Sequence, residues 1–412
     1  MGLPARALLL WAAGALLCLP LAAAAQEGRT APGGEAALAC GQGPDGRSYW
    51  TEYAFCDIAV KGPTQAKGLV LWSHGVSGQR DQYKGPVSPV VRRLAQAGWD
   101  VIRINRNPLY ERGWATSGPR HRDDAIERVR AARAQGYRHI ILAGQSYGGA
   151  ISLEANTREA VDGVMAFSPG HGSDMGNAGG GGGGIYFNLD RYLLQAVAAQ
   201  KGGRVVVLMA PNDHLHPNRH DPSGYIGPKV RATLATAGRP HVVFDETAPV
   251  HGHGAGHTAQ FNAWFGECIV RFLDMAAPAP AGETRCAAPD PLPRFLLPAD
   301  LKLGVVVAPT GARRWLGGWE GRFEHDQREV LVGVERIDGE AASLIYAVGA
   351  GPQRNLSMGW ERHAKVAIAG DRMKIERRNK TVLELVLAAD GRSLDFTMSG
   401  NETWRARLAR QD

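Results

Sequence analysis

Ser146 is flanked by glycines two residues before and two residues after it, in the segment G-Q-S-Y-G at 144–148. A largely apolar run at 139–143 precedes this segment, and residues 150–155 after it have the composition of a helix. A strand, a tight turn and a helix in this order lift a serine hydroxyl to where a histidine can take its proton. Side chains at 144 and 148 would collide with neighbouring backbone, so glycine suits both positions. The pattern predicts a nucleophilic serine at 146.

A nucleophilic serine needs a base, an acid that orients the base, and N–H groups that bind the developing oxyanion. With this turn, the acid and then the histidine follow the serine along the chain. Asp213 lies in the segment Pro211-Asn212-Asp213 that follows an apolar run at 203–210, and it is the predicted acid. Asp245 and Asp221 are the less favoured choices.

Three histidines lie in a glycine-rich stretch at 251–257, between the last predicted strand and the last predicted helix of this part of the chain. His257 directly precedes that helix and is the predicted base. His253 is the alternative and His251 is the third choice. The glycines favour a loop that brings an imidazole close to the serine without obstruction by side chains.

Two backbone N–H groups are predicted to form the oxyanion hole. Tyr147 supplies one because it follows the nucleophile. Val76 supplies the other, from the turn His74-Gly75-Val76 that ends the run at 68–73. His74 is predicted to have a structural role.

Short apolar runs alternate with amphipathic segments through the first two thirds of the chain. Strands are predicted at 68–73, 100–105, 139–143, 161–168, 203–210 and 241–245, with a further one at 53–60, and helices at 87–97, 120–135, 150–155 and 258–275. Continuous apolar strands that alternate with helices are typical of a parallel sheet covered on both faces. The predicted class is therefore α/β.

Residues 68–275 resemble the α/β-hydrolase superfamily, near its dienelactone hydrolases and secreted esterases. The residues that carry the resemblance are the turn at 74–75, the segment at 144–148, Asp213 and His257. The resemblance implies a mostly parallel sheet and a serine hydrolase that works through an acyl-enzyme without a cofactor. The expected substrate is a small carboxylic ester, and a serine peptidase or amidase is the alternative. A glycine run at 179–184, where a cap often lies in this superfamily, departs from its pattern.

Residues 213–221 hold three histidines and two aspartates, which makes a metal-dependent hydrolase the rival hypothesis. The segment lacks the spacings H-x-H-x-D-H and H-E-x-x-H. We therefore predict no metal site.

The pattern changes after residue 275. Residues 276–300 are rich in proline and alanine and are predicted to be a linker. Residues 301–412 contain short, mostly alternating runs, separated by turn pairs such as Asp-Gly. Strands are predicted at 329–337, 342–348, 365–369, 373–377, 382–387, 394–398 and 404–408. This indicates a small all-β barrel or sandwich, and its residues 317–321 resemble the Gly-x-Trp start of lipocalin-like barrels.

Residues 1–25 have the pattern of a secretory signal peptide, with Arg6, an apolar run at 7–21 and three alanines at 23–25. That run is shorter than the ~20 residues that a membrane-spanning helix needs. We therefore expect export to the periplasm or the medium without stable membrane insertion, and a catalytic domain at 26–275.

Cleavage after residue 25 leaves four cysteines, for which export favours two disulfides. Proximity along the chain favours Cys40–Cys56 and Cys268–Cys286 among the three possible pairings. The net charge of +7 comes from scattered basic residues, so no nucleic-acid partner is expected.

Overall fold

The computed structural model describes two sheets and the segments that connect them. The described residues are 40–48, 53–76, 85–104, 106, 114–170, 189–211, 213, 226–245, 247–307, 312–349, 358–377 and 380–411. The predicted signal segment at 1–25 and the glycine run at 179–184 lie outside these ranges.

Six parallel strands form the first sheet. They are β1 (Leu69–Ser73), β2 (Asp100–Arg103), β3 (Ile140–Gln145), β4 (Gly163–Phe167), β5 (Arg204–Leu208) and β6 (His241–Phe244). Their order across the sheet is β2-β1-β3-β4-β5-β6, and every neighbouring pair is parallel. Almost all of their residues are buried, which explains why the sequence shows continuous apolar runs rather than alternation.

Helices cover both faces of this sheet. They are α1 (Pro89–Gln96), α2 (Trp114–Ala134), α3 (Tyr147–Asn156), α4 (Leu189–Ala198), α5 (Ile226–Thr236) and α6 (Ala259–Phe272). Apolar side chains of α1 and α6 form one core with Val70 and Trp72 of β1. Side chains of the other four helices form a second core with Leu69 and Leu71, because successive residues of a strand face opposite sides of the sheet.

The chain reverses its direction of travel across the sheet at β1. It moves from β1 outward to β2, returns to place β3 on the other side of β1, and then proceeds through β4, β5 and β6. Parallel α/β sheets bind their ligands at such a reversal, outside the carboxyl ends of the strands. Ser146 follows the carboxyl end of β3 and so lies at this point. The strand order, with a strand–turn–helix elbow at the reversal, is that of the α/β-hydrolase fold and confirms the predicted class.

Disulfide-linked segments cover both edges of the parallel sheet. At the β2 edge, the N–H of Arg103 donates to Tyr53 O at 2.8 Å, near the Cys40–Cys56 disulfide. At the β6 edge, residues 282–284 exchange hydrogen bonds with His241, and the Cys268–Cys286 disulfide ties this stretch to α6. These are the predicted cysteine pairs. The strand predicted at 53–60 was wrong, since this segment pairs with β2 only through an isolated bridge at Ala54.

The second sheet closes into an antiparallel barrel. Its strands are β7 (Val305–Val307), β8 (Gly317–Phe323), β9 (Glu329–Asp338), β10 (Ala341–Val348), β11 (Gly359–Ala369), β12 (Arg372–Glu376), β13 (Val382–Leu387), β14 (Ser393–Ser399) and β15 (Thr403–Gln411). Strands β8 to β15 form the ring, closed by the β15–β8 pair, while β7 lies parallel to β9 outside it. Trp315, Trp319, Phe323 and Phe396 fill the centre. Of the two architectures predicted from the sequence, a barrel or a sandwich, the structure contains the barrel.

The barrel contacts the first domain beside the histidine-bearing loop at 251–257. Met358, just before β11, is 2 % exposed and belongs to the apolar core of α1 and α6. Its N–H donates to Gln260 Oε1 at 3.2 Å, and Gln260 Nε2 donates to Pro249 O at 3.1 Å. The two hydrogen bonds connect the barrel to both ends of the histidine-bearing loop. Among the described residues, no helix is long and apolar enough to cross a membrane.

We expect Gln260→Ala to lower the free energy of unfolding by about 1–3 kcal/mol, because it leaves the buried N–H of Met358 without its acceptor. Urea unfolding at neutral pH measures this change. Gln96→Ala, at an exposed position at the end of α1, is the matched control and should change stability by less than about 0.5 kcal/mol. Equal effects of the two substitutions would contradict the prediction.

Candidate active site

Ser146 occupies a sharp turn between β3 and α3, with φ 54° and ψ −121°. This region is costly for a residue other than glycine and persists only where the surroundings enforce it. Here the N–H of Ser146 donates to Phe167 O at 2.8 Å, and the N–H of Gly170 donates to Ser146 O at 3.1 Å. Both partners belong to β4 or the residues just after it, so the neighbouring strand holds the turn in its strained conformation.

The glycines of the motif allow the elbow to pack against the end of β1. A side-chain carbon added at Gly144 would lie 2.3 Å from the backbone of Gly148. One added at Gly148 would lie 2.0 Å from Ser73 O and 2.4 Å from His74 O. These obstacles are backbone atoms, which cannot move aside as a flexible side chain can. The structure therefore needs glycine at both positions because backbone segments contact each other closely there.

Asp213 and His253 form an acid–imidazole pair in which the acid is buried. Asp213 lies beyond β5 and is 1 % exposed, and His253 Nδ1 donates to its Oδ2 at 2.8 Å. The N–H of Gly252 donates to Pro211 O at 2.8 Å, which joins the histidine-bearing loop to the segment that carries Asp213. Gly252 has φ 82°, in the left-handed region that glycine adopts readily. The chain turns at this residue, just before His253.

The sequence predicts that Asp213 orients His257, but in the structure Asp213 is hydrogen-bonded to His253. His257 ends a short 3₁₀ helix, and its ring meets the edge of the Trp72 ring with centroids 5.4 Å apart. The physical reason is the turn at Gly252, which presents the next residue to the acid before the chain winds into the 3₁₀ helix. We therefore correct the preferred partner of Asp213 from His257 to the alternative, His253.

Both predicted oxyanion donors come from segments that touch Ser146. A carbon added at Gly75 would lie 3.3 Å from Ser146 Cβ, which places the turn that carries Val76 against Ser146. Tyr147 is the first residue of α3, where the helix leaves N–H groups without intrahelical acceptors.

Sequence reasoning missed Gln145 and Arg106. Gln145 is the variable position of the elbow motif, so the motif gives no signal for it, yet its Nε2 donates to His253 O at 3.3 Å. Arg106 follows β2 and is 2 % exposed although it is charged. A charged residue just past the carboxyl end of a predicted strand, at the edge where ligands bind, was the available signal.

Two histidines near this edge are held neutral. Burial, and then the charge of Arg106, lower the pKa of His74 to about 3. Burial, followed by the charges of Arg106 and Arg120, lowers the pKa of His121 to about 4. His121 Nδ1 lies 3.0 Å from the hydroxyl of Tyr147, so its ring supports the residue next to Ser146.

Asp245, a less favoured choice for the acid, is engaged elsewhere. Its Oδ2 accepts from Arg231 Nη2 at 2.5 Å and its Oδ1 accepts from Thr247 Oγ1 at 2.8 Å. Burial alone would raise the pKa of Asp245, but these hydrogen bonds outweigh it and lower the pKa. Asp221 and residues 214–220 lie outside the described ranges. Within the part of the chain that the structure describes, no three His, Cys, Asp or Glu side chains converge as metal ligands would.

No family model and no curated protein sequence matches this chain. Solved structures are similar to its first domain. Metagenome-derived lipolytic enzymes described as LipS and LipT give 15 % identity over 51 % of this chain and 94 % of theirs, with a TM-score of 0.35. A hyperthermophilic esterase from Pyrobaculum calidifontis gives 16 % identity over 54 % of this chain and 80 % of its own, with a TM-score of 0.37.

A puromycin-hydrolyzing peptidase from Mycobacterium tuberculosis gives 18 % identity over 52 % of this chain and 34 % of its own, with a TM-score of 0.35. These scores are low. The fold is therefore assigned from the strand order and the elbow of this chain.

We expect the stability of the protein to fall as the pH decreases below about 6.5, the ordinary pKa of histidine. The folded protein keeps His121 neutral down to a pKa of about 4, whereas the unfolded chain binds a proton near 6.5, so acid favours unfolding. His121→Asn removes this contribution. Between pH 7 and pH 5, urea unfolding should show a loss of stability that is smaller in the variant by roughly 2 kcal/mol. Identical losses in the two proteins would contradict the lowered pKa of His121.

Proposed function

We propose that this chain is an exported serine hydrolase that cleaves carboxylic esters through an acyl-enzyme. Ser146 is the nucleophile, His253 the base and Asp213 the acid that orients it. The observation that carries the proposal is the hydrogen bond between His253 and buried Asp213, on a loop that Gln145 ties to the strained serine.

The hydrogen bond to Asp213 supports Nε2 as the nitrogen of His253 that acts as the base. Asp213 accepts from Nδ1 of His253, so the neutral ring carries its proton on Nδ1 and leaves Nε2 as an acceptor. Nε2 takes the proton of the Ser146 hydroxyl as its oxygen attacks the ester carbonyl. The carboxylate of Asp213 then stabilises the imidazolium that forms.

The attack converts the carbonyl oxygen into an oxyanion, which the N–H groups of Val76 and Tyr147 receive. Collapse of this intermediate breaks the ester bond, and the imidazolium of His253 returns its proton to the leaving alcohol. A water molecule, deprotonated by the same ring, releases the acid and restores Ser146. Each donor of such an oxyanion hole contributes about 3 kcal/mol to lowering the barrier.

Export is supported by two features of the chain. The first is the predicted signal segment at 1–25. The second is the pair of disulfides, Cys40–Cys56 and Cys268–Cys286, since disulfides form and persist mainly in oxidising compartments.

A fluorophosphonate probe tests the nucleophile and the base together. We expect wild-type protein to be labelled and Ser146→Ala to resist labelling. His253→Ala should lower kcat by about 10⁴-fold or more, because it removes the group that activates the serine.

The matched control is His257→Ala, a second histidine in the same loop, which should keep kcat within about tenfold of wild type. Labelling that survives Ser146→Ala would refute the proposed nucleophile. A larger loss of kcat in His257→Ala than in His253→Ala would indicate that His257, the base predicted from the sequence, is the base.

A substrate panel separates esterase from peptidase activity. We expect p-nitrophenyl esters, tested over a range of acyl lengths, to be hydrolysed with a higher kcat/KM than aminoacyl anilides, because p-nitrophenolate is a better leaving group than an aniline nitrogen. The activity should be absent in Ser146→Ala. A preference for anilides would make the enzyme an amidase or peptidase of the same mechanism.

A further inference from the structure

Arg106 places a buried positive charge behind the turn that carries Val76. It is 2 % exposed, and its guanidinium faces the end of β1. Nη1 donates to Ser73 Oγ, and Nη2 donates to His74 O at 2.6 Å and to Gly75 O at 3.0 Å. A guanidinium offers its N–H groups in a fixed planar fork, so it holds several acceptors in one geometry.

The carbonyl of Gly75 has a second donor. His74 Nδ1 lies 2.6 Å from Gly75 O, and a carbonyl oxygen can only accept, so the proton of neutral His74 is on Nδ1. The low pKa of His74 keeps the ring uncharged beside Arg106. Two donors from different segments therefore fix the orientation of this one carbonyl.

Fixing the carbonyl of Gly75 also fixes the N–H of Val76. The two groups belong to one planar trans peptide unit, in which C=O and N–H point in opposite directions. Since Arg106 holds the oxygen on one side, the N–H projects to the other. The positive charge also lies at the oxygen end of the peptide dipole, which favours negative charge at the N–H end.

The same guanidinium contacts the residue that supplies the second donor. Its central carbon lies 5.3 Å from the centroid of the Tyr147 ring. The hydroxyl of Tyr147 lies 3.2 Å from Ser117 Oγ and 3.0 Å from His121 Nδ1, so the far end of the ring is held as well. One buried cation thus connects the residues on both sides of the oxyanion.

We propose that Arg106 is a positioning residue of the oxyanion hole, which sets the direction of the Val76 N–H through the Gly75 carbonyl and braces Tyr147 through its ring. This inference rests on the proposed serine-hydrolase function. Arg106 acts through these residues and does not touch the substrate.

The test compares Arg106 with a second buried arginine that also binds backbone carbonyls. Arg204 begins β5 at the opposite, amino-terminal edge of the sheet and is 5 % exposed. It donates to Phe272 O at 2.6 Å and to Asp274 O at 2.7 Å. Loss of either arginine should destabilise the fold, but only Arg106 faces the elbow.

We expect Arg106→Met to lower kcat by roughly 10²-fold and Arg106→Lys by about tenfold, with KM for the best p-nitrophenyl ester within about threefold of wild type. A trifluoromethyl ketone analogue of that ester places an oxyanion in the hole, so its affinity should fall by the same factor as kcat/KM. Arg204→Met should keep kcat and inhibitor affinity within about threefold. Near-UV circular dichroism shows whether each variant is folded. If Arg106→Met is not folded, the result for Arg106→Lys alone tests the proposal.

Two results would overturn the assignment: Arg106 variants that lose no more kcat than Arg204→Met, or a rise in KM with kcat unchanged. Failure of the underlying function is recognised separately, because Ser146→Ala would then retain activity.

Discussion

The contact between the serine elbow and the end of β1 is the constraint on which the rest of the site depends. Gly148 lies so close to the carbonyls of Ser73 and His74 that a methyl group could not be inserted. This contact fixes the distance between Ser146 and the turn that carries Val76. It also sets the reversal of the chain at β1, since β3 must lie directly beside β1 for the two segments to meet. The geometry of the elbow and the order of the strands are thus linked by one close backbone approach.

Three buried charges of the first domain, on Asp100, Arg106 and Arg204, are satisfied mainly by backbone groups. Asp100 accepts the N–H groups of Lys61 and Gly62, Arg204 donates to carbonyls at the end of α6, and Arg106 donates to carbonyls of the turn after β1. Burial of a charge is tolerated where hydrogen bonds replace its hydration. Because these backbone donors and acceptors are fixed in space, each of these charges also orients the loop it binds. Arg106 therefore orients the sheet edge where Ser146 lies, and Asp100 and Arg204, at the starts of β2 and β5, orient the opposite edge.

The barrel has a hydrophobic core of its own, and one of its flanking residues packs into the core of the first domain. Trp315, Trp319 and Phe323 lie in a cluster separate from the two cores that flank the parallel sheet. Met358 belongs instead to the core of α1 and α6, and its N–H reaches Gln260 beside the histidine-bearing loop. The loop that presents His253 is thus supported by Pro211 from the parallel sheet and, through Gln260, by the barrel. Its glycines give the loop its shape, and these neighbours give it rigidity.

The sequence by itself determined the glycine-flanked turn at Ser146, the six parallel strands, the cysteine pairs and most barrel strands. Each follows from local rules: glycine spacing around Ser146, apolar runs of strand length, short separations between cysteines, and alternation of the kind that buries Leu383, Leu385 and Leu387 in β13. Tertiary structure alone decided which histidine meets Asp213, because residues four positions apart in a glycine-rich loop are equivalent until the Pro211 carbonyl fixes the turn at Gly252. It likewise bound Asp245 to Arg231 and placed Arg106 behind Gly75. These roles join segments distant in the chain, and residue spacing along the sequence carries no information about the direction in which a loop turns.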